Sequence, residues 1–353
     1  VIDVSNPTTP SEVGLCSTPG WAEAVALAGN YAYIADRFGG LRAVDVSNPT
    51  SPSSAWFYGT PGHAYDVVVA SDPLGNTYAY VADYHGGLRV VDISSAIFPR
   101  LVGFYYTWGL AHSVTVAGNY AYVAVYDSGL QIVNLSIPPS LNEVLIAVGF
   151  YRTPSPAYDV AVAGDYAYVA AGESGLRVVD IADPFNPSEV GFYDTPGLAQ
   201  GIAVGGNYAY VADGESGLRV VDISNPFGPS EAGFYDTPGA ATGLAVVGSY
   251  AYVADWYGGL RVVDISNPFS PIEVGSYDSQ GAASNVTVVG NYAYVASAGS
   301  GLHMVDISDP SNPNRAGFYE TQGEAFGVAV AGNYIYVADR GGGLVILQYE
   351  VDE

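Results

Sequence analysis

Apolar positions in this chain come in short blocks of five to seven residues, separated by Gly, Asn, Asp, Ser and Pro. No stretch carries apolar residues at helical spacing, so strands and turns are expected throughout. One unit displays the pattern in full: Gly201–Gly205 (GIAVG), Tyr208–Asp213 (YAYVAD), Leu218–Ser224 (LRVVDIS) and Glu231–Asp236 (EAGFYD) are four predicted strands, denoted A to D.

The unit recurs. The second tyrosine of the strand B block falls at Tyr33, Tyr80, Tyr122, Tyr168, Tyr210, Tyr252, Tyr294 and Tyr336, in steps of 47, 42, 46, 42, 42, 42 and 42 residues. That period suits one four-stranded propeller blade, a unit too short to bury its own apolar faces alone. The chain has eight A, eight B and eight D segments but nine C segments, because Val1–Ser5 and Leu344–Tyr349 both match strand C. The expected fold is all-β: one closed β-propeller over residues 1–353, of eight four-stranded blades. Glu12–Ser17 then supplies strand D to the last blade, whose A, B and C strands come from the other end of the chain; this closure removes bare edges. The surplus C segment reads as a remnant of a longer array, and the missing initiator Met as a sign of processing. An insert at Ser71–Gly75 (A to B) and an altered link at Pro138–Glu143 (C to D) belong to one end of the ring. The B–C turns and D–A links share the other end, here called the top.

The strand C block LRVVDIS, with its variants LRAVDVS, LQIVNLS and LHMVDIS, resembles the LVIVD-repeat family of secreted or surface-attached bacterial and archaeal proteins. The resemblance covers nearly the whole chain. It implies a β-propeller in an extracytoplasmic setting, and carries over no catalytic residue.

Charge narrows the partners. Thirty-five acidic residues stand against 10 basic ones, all Arg, for a net charge of −25. A field of that sign repels nucleic-acid phosphates and acidic membrane surfaces. No apolar run reaches the roughly 20 residues a membrane helix needs, so membrane insertion is not expected. The acidity suits solubility outside the cell. No cofactor is expected; calcium at the acidic links is the alternative, although no DxDxDG-type loop is present. Cys16 stands where the other repeats put the strand D tyrosine and reads as a small apolar filler.

Internal repeats separate scaffold from departures. Of 30 tyrosines, 16 form the strand B pairs and 7 hold the strand D position, which leaves Tyr65, Tyr84, Tyr106, Tyr126, Tyr158, Tyr257 and Tyr349. Most of these fall on the top of repeats 2 to 4, with His63, His85, His112 and Trp108. Repeats 4 and 5 place Gly172-Glu173 and Gly214-Glu215 in the B–C turn, where this arc has Tyr84-His85 and Tyr126-Asp127. Asp66 and Asp159 stand at the start of strand A, where other repeats have Gly201, Gly243 and Gly327. Aromatic faces and carboxylates together suit stacking on sugars, attraction of cations, or a protein interface. Trp256-Tyr257 forms a smaller cluster on the same side.

The remaining recurrences read as structure. Arg42, Arg89, Arg177, Arg219 and Arg261 share one strand C register and are expected to lie across strand B tyrosines or to pair with Asp; His303 replaces this Arg as a scaffold variant. The Asp of VAD and the Asp of VVD are each expected to bind their own local backbone.

The expectation for function is a monomeric, non-catalytic binding propeller outside the cytoplasm, engaging a glycan or protein through the top of repeats 2 to 4. One alternative is a lyase or hydrolase drawing acid and base from His63, His85, His112, Tyr65, Asp66 and Asp159. The other is a spacer within a longer surface protein.

Overall fold

The computed structural model describes residues 14–72, 75–95, 100–135, 143–331 and 334–348. The expectations for Val1–Ser5, for the middle of each altered link and for Tyr349 lie outside these residues. The described residues form strands and turns without a helix, arranged as eight antiparallel blades. Blade 5 has strand A at Gly201–Gly205, B at Tyr208–Ala212, C at Leu218–Asp222 and D at Ser230–Tyr235, hydrogen-bonded in that order. The A strands contact one another blade by blade, and that of blade 8 (Glu324–Ala331) meets that of blade 1 (Ala24–Ala28), closing an eight-bladed β-propeller.

Blade 8 is assembled from both ends of the chain, as expected. Gly14–Cys16 is its strand D and pairs antiparallel with strand C, Gly343–Gln348, in the register Gly14 to Ile346 and Cys16 to Leu344. Blade 2 gains a fifth strand that sequence patterning did not predict: Glu143–Val144 runs parallel to its strand D, Arg100–Tyr105.

The eight apolar clusters lie between blades. Leu218 and Val220 of blade 5 pack with Ala251 and Val253 of blade 6, for example, and Tyr336 and Ile346 of blade 8 with Ile34 and Val44 of blade 1. The strand D glycine of each VGFY-type block makes this stacking possible. A Cβ at Gly191 would lie 2.2 Å from the Pro226 carbonyl oxygen and 2.6 Å from Pro229 Cδ, because the Pro-rich C–D link of blade 5 lies on strand D of blade 4. Gly14, Gly149, Gly233 and Gly275 are covered in the same way by Pro49, Pro184, Pro268 and Pro310. Gly103 is the exception, since Leu145 from the altered link takes the place of proline there. Polar staples run alongside: the strand D tyrosines Tyr193 and Tyr235 donate to Glu231 and Glu273 of the next blade at 2.8 and 2.6 Å.

Two scaffold expectations need correction. Four of the five strand C arginines stack on strand D phenylalanines, not on strand B tyrosines: Arg177 lies 4.6 Å from the Phe192 ring and Arg219 4.5 Å from Phe234, whereas Arg261 faces Ser276. Residues facing each other across the C–D ladder, such as Arg219 and Phe234, share a face, and that adjacency decides the partner. The expected pairing with Asp does occur, as in Arg42–Asp36 at 2.9 Å. The VAD carboxylates do not cap their own turn. Asp213 and Asp255 are fully buried and accept from the preceding D–A link: Thr195 Oγ1 and Gly197 N for Asp213, Thr237 Oγ1 (2.5 Å) and Gly239 N (2.8 Å) for Asp255. The carboxylate reaches the Thr-Pro-Gly link because that link folds over the end of strand B. The VVD carboxylates behave as expected, each accepting from the backbone N–H two residues on, as Asp222 does from Ser224 at 2.8 Å.

His303 replaces the strand C arginine in blade 7, where Ser297 replaces the Asp. Its ring nitrogens meet Tyr277 Oη at 2.9 Å and Ser300 Oγ at 3.0 Å. Burial first, then Arg315, lowers its pKa to about 4. A base whose folded pKa is depressed adds stability above its unfolded pKa and loses it as pH falls through the folded one. Between about pH 6.5 and 4 the wild type should therefore lose roughly 3 kcal/mol more than His303→Gln. Urea titrations of both proteins across that range measure the difference; parallel curves would refute the assignment.

Candidate functional site: the mouth of the channel

Each A strand begins at the top, so its first residues ring the channel entrance. One register is occupied by Glu23, Tyr65, His112, Tyr158, Gln200, Thr242, Ser284 and Phe326. The next is occupied by Ala24, Asp66, Ser113, Asp159, Gly201, Gly243, Asn285 and Gly327. All of these but Gly327, together with Ile202, Leu244 and Arg340, line one cavity of about 400 Å³.

The B–C turn of each blade reaches the strand A start of the following one. Isolated bridges link Arg37 to Ala64, Tyr84 to Ala111, Gly172 to Ala199, Gly214 to Ala241 and Trp256 to Ala283. In five blades this turn position takes a left-handed backbone, whereas Tyr126, Ala298 and Arg340 hold it in blades 3, 7 and 8 without a positive φ. Of the five, blades 4 and 5 use Gly172 (φ 50°) and Gly214 (φ 59°), while blades 1, 2 and 6 hold Arg37 (φ 38°), Tyr84 (φ 45°) and Trp256 (φ 39°) there. Bulky residues in that region carry on the order of 1 kcal/mol of strain or more. Their side chains meet rings that line the cavity: Arg37 lies 4.8 Å from the Tyr65 ring, Tyr84 stacks on Tyr65 at 4.8 Å, and Trp256 meets Phe326 edge-on at 6.5 Å.

From Tyr65 the aromatic contacts run on through His112 (5.6 Å), Tyr158 (5.5 Å from His112) and Tyr126 (5.2 Å from Tyr158). Burial and the Tyr126 hydroxyl push the Tyr158 phenol up to about 12, so it stays protonated. His63 packs against Phe38 at 4.4 Å and parallel to Tyr84 at 6.1 Å, with its pKa lowered by burial, then by Arg37 and His85.

Charged groups occupy two places. At the seam between blades 8 and 1, Glu23 receives Arg37 at 2.8 Å and Arg340 at 2.6 Å. Arg37 also donates to the Tyr65 hydroxyl, and the Arg340 guanidinium lies over the Phe326 ring. In blades 2 to 4, Asp66 accepts from Val67 N (2.8 Å) and Val114 N (3.0 Å), while Asp159 accepts from Val160 N (2.8 Å), Ile202 N (3.1 Å) and Ser113 Oγ (2.9 Å). Each carboxylate thereby ties its own blade to the following one. Burial and then, among the charges, Asp159 raise the pKa of Asp66.

Of the candidate residues, Tyr65, Asp66, His112, Tyr158 and Asp159 line the cavity. Tyr84 and Tyr126 back its wall, His63 and His85 continue the aromatic contacts outwards, and Asp127 lies close enough to Tyr84 to raise its pKa, after burial and Tyr65. Tyr106 and Trp108 belong to another neighbourhood: Tyr106 packs on Phe104 under Arg89, and Trp108 on Phe150, all along strand D. Patterning missed Glu23, Arg37, Phe326, Arg340 and the polar set Gln200, Thr242, Ser284 and Asn285. The signal was present, because all except the two arginines share the strand A registers of Tyr65 and Asp66. Among the described residues no group of three or more His, Cys, Asp or Glu side chains could hold a metal ion.

Solved propellers share this architecture. Sqt1 from Saccharomyces cerevisiae is similar with a TM-score of 0.77 and 8% identity, over 96% of this chain and 98% of that one. BamB from Moraxella catarrhalis gives 0.71 and 14%, over 96% and 99%. Chaetomium thermophilum Sqt1 bound to the N-terminus of ribosomal protein L10 gives 0.74 and 13%, over 95% and 98%. At these identities the likeness concerns fold alone. No curated protein matches the chain. The LVIVD repeat model matches nine consecutive segments covering residues 1–148 and 155–348, the first (1–18) and last (322–348) being partial units that meet in blade 8. The chain therefore belongs to the LVIVD-repeat family.

Proposed function

We propose that the protein is a non-catalytic binding propeller, acting as a single ring outside the cytoplasm, and that it takes a segment of a protein partner into the mouth of its channel. The observation that carries this reading is the strained left-handed backbone of Arg37, Tyr84 and Trp256 at a register where sister blades use glycine. Strain kept in side chains that close on one cavity suits recognition better than ring stability. The acidic composition suits an extracytoplasmic setting, and Chaetomium thermophilum Sqt1, similar in fold, is bound to the N-terminus of ribosomal protein L10 in its solved structure. The Asp66 and Asp159 carboxylates are tied to backbone amides and Glu23 to two arginines, which favours binding over acid–base chemistry.

Tyr84→Gly relieves strain while removing one aromatic wall. Its thermal midpoint should stay close to wild type, the gain at φ 45° offsetting the lost stacking. A peptide or glycan found by thermal-shift screening of the wild type should bind this variant at least tenfold more weakly, about 1.4 kcal/mol. A ligand that bound both proteins equally would place recognition elsewhere; a neutral glycan that alone showed the loss would replace the protein partner.

A further inference from the structure

We propose that the mouth cavity receives a cationic group, the ammonium or guanidinium of a lysine, arginine or amino terminus on a protein segment; this rests on the reading of the mouth as the binding site. The argument is a donor and acceptor inventory of the lining. Several of its donors are engaged within the wall. Arg37 and Arg340 are engaged by Glu23, and Arg340 also approaches Glu324 at 3.7 Å. The Thr242 and Ser284 hydroxyls donate to backbone carbonyls, at 3.3 Å to Ala283 and 3.2 Å to Ala325. His112 Nδ1 lies 2.9 Å from the Tyr158 carbonyl oxygen, which can only accept, so this N–H is spent inside the wall. Among the described lining residues, the side-chain donors left without an acceptor are the Gln200 and Asn285 amides, the Tyr65 hydroxyl and Arg340 Nη1, the last held beside Glu324.

Acceptors remain in supply. A carboxylate offers about four lone-pair positions. Asp66 fills two of its positions with backbone amides, and Asp159 fills three with two amides and Ser113. Above them stand the rings of Tyr65, His112 and Tyr158, and tyrosine faces attract cations. The lining points the same way, since its one arginine, Arg340, stands with three carboxyl groups, Glu23, Asp66 and Asp159. The net charge of −25 steers cations towards the ring and anions away. A neutral glycan carries no charge to meet the carboxylates and the ring faces; a phosphate or carboxylate ligand would meet repulsion.

The test is calorimetric titration with the end-blocked tripeptide Gly-Lys-Gly, its Nε-acetyllysine counterpart and a chitosan trimer. The proteins are wild type, Asp66→Asn/Asp159→Asn, and Asp180→Asn/Asp222→Asn, which removes the same charge from the bottom links. The lysine peptide should bind wild type at least tenfold more tightly than the acetylated one. That preference should vanish in Asp66→Asn/Asp159→Asn and persist in the bottom-link variant. Equal affinity for both peptides on wild type overturns the cationic ligand while leaving the mouth as a binding site, and needs no variant to fold. Equal loss in both variants reduces the effect to long-range attraction and overturns the site. Binding of the chitosan trimer without the lysine peptide replaces the protein partner by an amino sugar, and binding of none of the three overturns the inference.

Discussion

Gly191→Val is expected to lose about 3 kcal/mol of stability, and more if the link cannot shift. The branched side chain must enter a space where even a Cβ would stand 2.2 Å from the Pro226 carbonyl oxygen. The obstacle is backbone, held by Pro226 and Pro229 on either side of Phe227, and no rotamer change removes it. Relief requires blade 5 to move away from blade 4, which opens the cluster of Leu176 and Val178 with Ile202, Val211 and Val221. Urea unfolding followed by tyrosine fluorescence measures the loss. Gly205→Val is the control, because the nearest atom to a Cβ there is Tyr210 Cε2 at 3.7 Å. A Gly191 variant no weaker than the control would show that the link is compliant and that glycine at this register has another cause.

Asp213→Ala should cost a similar amount, about 3 kcal/mol, by a different route. Its carboxylate is fully buried and accepts from Thr195 Oγ1 and from Gly197 N at 2.8 Å, with Arg219 at 3.8 Å. Alanine would leave both donors without their acceptor, although Arg219 keeps Asp236 at 2.6 Å. Asp213→Asn, which retains one acceptor oxygen, should cost less than half as much. Blade 4 has Ala171 at this register and tolerates it because its link differs: Thr153 Oγ1 donates to the Ser155 carbonyl at 2.7 Å, and Ser174 Oγ to Ser155 Oγ at 2.8 Å. An alanine variant as stable as the asparagine one would mean that the Thr-Pro-Gly link is held by packing and not by the carboxylate.

The blade count, the strand order and the closing strand from Gly14 to Cys16 were legible in the chain because period and punctuation are local properties. The arc of Tyr65, His112 and Tyr158 was legible for a related reason: repeats supply their own internal control, and a departure from the shared register stands out. Three things resisted. Trp108 sits only four residues before His112, yet it turns to Phe150 on strand D, since direction within a D–A link is decided by packing that spacing does not encode. Arg37 and Arg340 are far apart in sequence and meet at Glu23 only because the ring closes there. The fifth strand at Glu143–Val144 was also hidden, because a two-residue parallel edge has no period of its own.

The near identity of the strand B blocks has a consequence for how the ring reaches its final size. Tyr166–Ala170, Tyr208–Ala212 and Tyr250–Ala254 all read YAYVA, so a strand that docks one repeat out of place meets almost the same neighbours. Such errors are nearly degenerate in energy and act as folding traps. The clasp breaks the degeneracy. Gly14–Cys16 can pair with Gly343–Gln348 only when every intervening blade is in its place, since a ring that skipped one would leave at least four strands without a seat. The short terminal strand thus works as a tally, checking the number of blades before the last hydrogen bonds form.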